Sequence, residues 1–168
     1  MNQKQKECIR NMLASIMTFD EPMADHTTFG IGGPAGCLVY PDNREELSEL
    51  LQYANKENIP AFFTGSGSNI LVWDQGFDGF VISLRKTFKR LTITDNYQII
   101  AESGVMLGTL VKEAIRLHIC GLESLIGVPG TLGGALIMNA GAFGSEISNY
   151  FEEAKTMTLE GDLKTYTK

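Results

Sequence analysis

The sequence predicts an α+β fold, with helices and strands mixed along the chain and organised as two subdomains. A strand–helix–strand pattern occupies residues 37–64, and the residues after about position 80 are richer in strand patterns. Two glycine-rich segments, residues 65–69 and 127–144, interrupt this pattern. Glycine costs backbone entropy on folding, so such density indicates a main chain that another group approaches closely. We therefore expect a binding site made of loops.

The composition excludes several classes of protein. Fourteen Lys and Arg residues against twenty Asp and Glu give a net charge of −6, which does not favour nucleic-acid binding. No apolar run reaches the roughly 18 residues that a membrane-spanning helix needs. The three cysteines are far apart and form no C-x-x-C pair, so neither a disulfide framework nor a metal site is predicted. We expect a cytoplasmic protein with no nucleic-acid or membrane partner.

The first 25 residues read as a helix and a connection. Ile9, Met12, Leu13, Ile16 and Met17 repeat at helical spacing, which predicts an amphipathic helix over residues 5–19. Residues 20–25 read as a connection, and residues 26–34 are too rich in glycine for regular structure.

The next unit, residues 26–75, is predicted to be a small α/β subdomain. Residues 37–40 read as a strand, Asp42 as the N-cap of a helix over 43–58, and residues 61–64 as a second strand. This strand runs directly into the loop 65–69, and open α/β structures bind ligands at such strand ends. Residues 70–73 and 80–82 are further strand candidates, and the subdomain boundary is expected near 73–79.

Residues 76–168 are predicted to form a larger α+β subdomain. The pattern indicates a hairpin over 91–94 and 97–102, a helix over 106–117, and a short helix within 131–139. Two strands, residues 154–159 and 163–167, follow the second glycine-rich segment.

The chemistry of the two glycine-rich segments favours an anionic ligand. Backbone N–H groups that no side chain obstructs can surround a phosphate, and the Ser and Asn side chains add hydrogen-bonding groups. The first segment lacks the third glycine of a dinucleotide fingerprint, because Ile70 stands there, and no Gly-Lys-Ser/Thr sequence is present. A phosphorylated ligand between the two loops is the preferred interpretation, and a plain tight turn is the alternative for the first loop alone.

No catalytic constellation is evident. His118 ends a predicted helix and is best explained by the helix dipole, while the role of His26 is undetermined. Asp74 and Asp78 belong to a polar turn with no third ligand nearby, so no metal site is predicted.

Taken together, the motifs resemble the MurB-type family of UDP-N-acetylenolpyruvoylglucosamine reductases. The matching stretches are HTTFGIGG at residues 26–33, GSGSNILV at 65–72, GLE at 121–123, GVPGTLGGA at 127–135 and MNAGAFG at 138–144. They occur in matching order from about His26 to the end of the chain.

The resemblance implies an FAD-binding fold of the vanillyl-alcohol oxidase and p-cresol methylhydroxylase type, with FAD held non-covalently between two subdomains. It also implies NADPH as hydride donor and a UDP-sugar substrate in the full-length family. By similarity, the cofactor-binding residues are Thr64, Gly65, Ser66, Gly67, Ser68, Asn69, Ile70, Gly127, Val128, Pro129, Gly130, Thr131, Gly133, Gly134, Asn139, Ala140, Gly141, Ala142 and Gly144.

The sequence departs from the family's pattern in what it lacks. The resemblance implies that the family's catalytic arginine, serine and glutamate would all lie past Lys168, the last two in a substrate-binding domain that we expect residues 1–168 not to include. The resemblance thus implies an FAD-binding part that is incomplete at its C-terminus, inactive by itself, and able to self-associate through uncovered surface. The alternatives are a non-catalytic flavin- or nucleotide-binding module that serves a partner chain, and another FAD-linked oxidoreductase of the same fold.

Overall fold

The computed structural model describes residues 1–168, and the chain begins with helix α1, Gln3–Met12. Asn2 caps this helix, because its side chain accepts a hydrogen bond from the Gln5 N–H while the Gln5 side chain accepts one from the Asn2 N–H. Leu13 has extended backbone angles and ends the helix.

Strand β1, Ile16–Pro22, follows, so the predicted helix over 5–19 is wrong in its second half and the predicted connection over 20–25 is wrong in its first part. The physical reason is strand pairing: β1 lies antiparallel to β2, Pro34–Tyr40, with Ile16 opposite Tyr40 and Pro22 opposite Pro34. This pairing overrides a local helical spacing of apolar residues.

A four-stranded sheet forms the first half of the molecule. Its order is β1-β2-β4-β3, where β3 is Ala61–Thr64 and β4 is Phe77–Ser83. Strands β2, β4 and β3 are parallel, and Thr64 lies opposite Ser83 at their carboxyl ends. The predicted strands over 37–40, 61–64 and 80–82 are confirmed.

Helix α2, Arg44–Lys56, covers one face of this sheet together with α1. Its N-cap is Asn43, not the predicted Asp42, because the Asn43 side chain accepts the hydrogen bond of the Glu46 N–H. The two helices and the sheet enclose a core of eleven buried residues, which are Ile9, Leu13, Cys37, Val39, Leu47, Leu50, Leu51, Ala54, Ile59, Phe80 and Ile82.

The other face of the sheet is covered by the segment that connects β3 to β4. Ile70 and Val72 pack against the buried side chains of Met23, Leu38 and Val81. The predicted strand over 70–73 is wrong, because this segment pairs with no other strand. Its alternating pattern arises because every second side chain covers the sheet; Leu71 and Trp73, in contrast, are exposed.

The second half of the molecule contains the remaining predicted elements. The hairpin of β5, Leu91–Ile93, and β6, Ile99–Ala101, is confirmed, as is helix α3, Leu107–Arg116. Helix α4, Leu132–Ile137, is the predicted short helix. Strands β7, Gly141–Ala142, and β8, Ser145–Glu146, form a tight hairpin, and β9, Glu153–Met157, pairs with β10, Leu163–Thr167. A separate core of nine buried residues, from Val105 to Ile147, holds α3 and α4 together.

The division of the chain into two subdomains stays a prediction. Strand β4 lies at the centre of the first sheet, although its residues 77–83 fall after the predicted boundary at 75/76. Its position favours a boundary beyond Ser83. None of the helices is both long and apolar enough to cross a lipid bilayer.

Candidate functional site

The first glycine-rich loop, residues 65–69, begins where β3 ends. None of its five backbone N–H groups donates a hydrogen bond within the chain. Gly67 has a φ of +74°, which favours glycine, and its main chain is buried. The Asn69 side chain is exposed and makes no hydrogen bond within the chain. The loop therefore presents five unpaired donors and no charged side chain.

The second loop, residues 127–131, leads into α4. Gly130 has a φ of +127°, and the N–H groups of Gly127, Gly130 and Thr131 also lack an acceptor within the chain. Thr131 is the N-cap of α4, where its hydroxyl accepts the Gly134 N–H at 3.4 Å. The Gly133 N–H is paired, since it donates to the Ser103 carbonyl oxygen at 2.9 Å.

The structure brings these two loops into contact. The Ser68 hydroxyl donates to the Pro129 carbonyl oxygen at 3.4 Å, and a methyl group at Gly130 would lie 3.4 Å from Ser68 Oγ. Gly65 lies directly against the Thr131 side chain. Residues 61 or more positions apart in sequence thus form one surface, as the two-loop interpretation requires.

The residues at this junction fit a diphosphate group. Eight unpaired N–H groups, five in the first loop and three in the second, are available to bind negatively charged oxygens. Neither loop contains a carboxylate that would repel them. A Cβ atom at Gly127 would meet no atom of the chain within 4 Å, so the protein's own packing does not require glycine there. Open space beside that main chain is consistent with close approach of a ligand.

Other predicted residues lie around this junction. Thr64 is buried at the end of β3, while the side chains of Ile70 and Val128 pack into the hydrophobic cores.

The predicted stretch 139–144 forms a hairpin of its own. Asn139 Nδ2 donates to Glu146 Oε2 at 2.6 Å, and Asn139 Oδ1 accepts the Ser148 N–H at 3.2 Å. Gly141 and Ala142 form β7, Ala140 donates its N–H to the Ala135 carbonyl oxygen, and Gly144 has a φ of +80° in the turn. No hydrogen bond joins this hairpin to residues 64–70.

One contact of the first loop was not predicted. The Thr28 N–H donates to the Gly67 carbonyl oxygen at 2.9 Å, and a methyl group at Gly67 would overlap the His26 carbonyl oxygen. The signal in the sequence was the 26–33 motif, which the resemblance included without giving it a role.

Two buried hydroxyl groups lie beside the same loop. Thr64 Oγ1 and Ser83 Oγ, on neighbouring strands, have no hydrogen-bond partner.

Open clefts of about 170 and 340 Å³ occur elsewhere, the first beside Pro60 and Asp78 and the second beside Arg44 and Arg90. The loop junction is the stronger candidate, because its unpaired N–H groups can bind an anion and its glycines let a ligand approach the main chain.

Comparisons with known proteins identify relatives of this chain. UDP-N-acetylenolpyruvoylglucosamine reductase from Syntrophomonas wolfei is 42% identical over 147 residues, which are 88% of this chain and 49% of that protein. The enzyme of the same name from Streptococcus uberis is 45% identical over 156 residues, covering 92% of this chain and 51% of that protein. The chain spans about half the length of these curated relatives.

Solved structures give the same result. The crystal structure of UDP-N-acetylenolpyruvylglucosamine reductase from Thermus caldophilus matches with a TM-score of 0.71 and 31% identity, over 92% of this chain and 53% of that one. The structure of 6-hydroxy-D-nicotine oxidase from Arthrobacter nicotinovorans matches with a TM-score of 0.67 and 17% identity, over 92% of this chain and 36% of that one, which shows a shared fold only.

The resemblance drawn from the motifs is confirmed by these relatives. The predicted fold class, mixed α and β with an FAD-binding fold of the vanillyl-alcohol oxidase and p-cresol methylhydroxylase type, is also confirmed. The sequence family described as FAD binding domain matches residues 35–167, a range that contains both glycine-rich loops. This chain therefore belongs to the FAD binding domain family.

Proposed function

We propose that this chain is the FAD-binding part of an NADPH-dependent reductase that converts UDP-N-acetylglucosamine enolpyruvate to UDP-N-acetylmuramate in bacterial peptidoglycan synthesis. The names of its relatives support the reaction. The observation that carries the proposal is the contact between residues 65–69 and 127–131, where eight backbone N–H groups lack acceptors. The proposed location is the bacterial cytoplasm.

In this proposal the main chain of the two loops binds the FAD diphosphate. Hydrogen bonds to charged oxygens are stronger than neutral ones, so several N–H donors can offset two negative charges without a lysine or arginine. This explains how a chain with a net charge of −6 can bind an anionic cofactor. Neither loop contains histidine or cysteine, and attachment is accordingly non-covalent.

The residues of this chain hold and orient the cofactor. When bound, FAD would supply the hydride chemistry that protein side chains cannot perform. Ser66 and Ser68 supply hydroxyls at the junction, with 3.3 Å between their oxygen atoms. No residue of this chain is assigned as the catalytic acid or as a substrate contact. We therefore propose that this chain alone does not turn over substrate.

The first test is FAD binding by the purified chain, measured by visible absorbance and by titration followed through flavin fluorescence. We expect saturable binding that Asn69→Ala weakens and Gly130→Leu abolishes. Asn55→Ala, an exposed change on α2, is the matched control and should bind like the original chain. Failure of the folded chain to bind FAD, or equal affinity in all variants, would refute the proposed site.

The remaining parts of the proposal have their own assays. NADPH oxidation dependent on the enolpyruvyl substrate, measured with the FAD-loaded chain, should stay at background, and sustained turnover would contradict the assignment. We also propose self-association through exposed apolar side chains, because Trp73 is 79%, Ile137 80% and Phe143 90% exposed. Sedimentation velocity should show a concentration-dependent dimer that Phe143→Ser weakens.

A further inference from the structure

His26 lies at the end of a single helical turn, Met23–His26, that follows β1. Its ring nitrogen Nε2 is 2.8 Å from Glu21 Oε1, and both side chains are largely buried, with 16% and 25% exposure. A carboxylate only accepts hydrogen bonds, so Nε2 carries the hydrogen in this pair. Glu21 is itself held in β1, opposite Ala35 of β2.

The main chain on either side of this pair contacts the middle of the first glycine-rich loop. The His26 carbonyl oxygen occupies the position that a Cβ atom of Gly67 would need, and Thr27 Cα would be 3.0 Å from such an atom. Two residues after His26, the Thr28 N–H donates to the Gly67 carbonyl oxygen at 2.9 Å. Gly67 makes no other hydrogen bond within the chain through its main chain.

We propose that His26 is a positioning residue for the anion-binding loop: its bond to Glu21 fixes residues 26–28, and these hold Gly67. The inference rests on the proposed function, because the ligand whose binding it sets is FAD. A loop with five unpaired N–H groups has no internal backbone hydrogen bonds to keep its shape, so contacts from outside determine how well the donors are arranged before the ligand arrives. The His26–Glu21 pair connects that arrangement to the rigid sheet.

Three variants of the whole chain test the proposal. His26→Phe keeps a ring of similar size and removes the donor, and we expect FAD affinity to fall roughly tenfold. His26→Gln restores an N–H donor and should recover most of the affinity. Lys6→Gln is the matched control, since it removes another ion pair to β1, with Asp20, that does not touch the loop. It should leave FAD affinity unchanged.

Amide hydrogen exchange of Thr28 in the FAD-free chain supplies a readout that is independent of the cofactor. We expect His26→Phe to accelerate exchange at Thr28 specifically, while exchange in β2 and β4 stays as in the original chain. Equal FAD affinity in His26→Phe and the original chain would overturn the inference, as would an equal loss in His26→Gln. If the original chain does not bind FAD, the proposed function fails, and unchanged exchange at Thr28 in His26→Phe would then overturn the positioning role separately.

Discussion

Gly65 and Thr131 contact each other where the two glycine-rich loops meet, and the Thr131 hydroxyl is the group that a side chain at Gly65 would strike. That same hydroxyl accepts the Gly134 N–H and caps α4. The contact therefore couples the spacing of the two loops to the start of a helix. Gly65 does not have a positive φ, so the need for glycine here comes from packing alone.

We predict that Gly65→Ala lowers the free energy of unfolding by about 1–3 kcal/mol, the usual cost of overpacking, and weakens FAD binding. In a Thr131→Ala background the added methyl has room, so the cost of Gly65→Ala should be smaller there. Chemical denaturation of the four chains in a double-mutant cycle measures this coupling. Gly108→Ala in α3, where the nearest atom is 3.9 Å away, is the control and should stabilise by about 0.5–1 kcal/mol. Additive effects of the two substitutions would contradict the contact.

Glu46 gives a pH-dependent prediction. Its burial raises the pKa of the carboxyl, but hydrogen bonds from the Ser15 hydroxyl and from the N–H groups of Asp42 and Ala14 outweigh this, so the pKa lies below its ordinary value of 4.5. A lowered folded-state pKa stabilises the protein fully above the unfolded value, and this stabilisation disappears as the pH falls through the folded value.

We expect Glu46→Gln to lower the free energy of unfolding by about 0.5–1.5 kcal/mol at neutral pH, because solvent screens this partly exposed carboxyl. The difference from the original chain should shrink as the pH falls below about 4.5. The carboxyl of the original chain is then protonated and therefore uncharged, like the amide of the variant. Urea unfolding at a series of pH values tests this, with the exposed neighbour Glu45→Gln as control. A difference that stays constant down to acid pH would argue against the three hydrogen bonds.

The three cysteines should differ sharply in reactivity. Burial of the Cys37 thiol raises its pKa to about 12, whereas Cys8 and Cys120 are exposed. Since the thiolate is the reactive form, we expect two thiols per chain to react rapidly with Ellman's reagent at mildly alkaline pH, and the third only after denaturation. Rapid reaction of all three in the folded chain would mean that the sheet around Cys37 opens readily.

Ser83 offers a test of the unpaired hydroxyl groups. Because Ser83 Oγ is buried without a partner, Ser83→Ala should be neutral or stabilise the chain by up to about 1 kcal/mol. Ser15→Ala is the matched comparison: this buried hydroxyl donates to Glu46, and its removal should destabilise. Thermal unfolding of both variants distinguishes them. A marked loss of stability in Ser83→Ala would reveal a partner, such as an internal water molecule, for that oxygen.

The sequence identified the elements whose local pattern and tertiary environment agree. Helix α2 is an example, since Leu47, Leu50 and Leu51 repeat at helical spacing and all face the sheet. Both glycine-rich loops were also evident, because glycine density and the absence of charge are properties of the residues themselves.

The sequence misled where distant pairing decides the structure. Ile16 and Met17 extend a helical spacing, but their backbone pairs with Tyr40 and Val39 of β2. Ile70 and Val72 alternate like a strand, yet they cover the sheet without joining it. The contact of Thr28 with Gly67 was equally out of reach, because it joins two irregular segments 39 positions apart that carry no periodic signal.

The connection between β3 and β4 combines two parts: its first residues form the proposed ligand loop, and Ile70 and Val72 cover the second face of the sheet. A ligand that binds only the folded form stabilises it by mass action, by about 2.7 kcal/mol at a concentration one hundred times its dissociation constant. In this chain the proposed ligand loop and the residues that cover Leu38 and Val81 belong to the same short connection. Ligand binding would therefore stabilise the covering of that face of the sheet as well. Under the proposed function, cofactor supply therefore determines how long the folded chain survives proteolysis, as well as whether it supports redox chemistry.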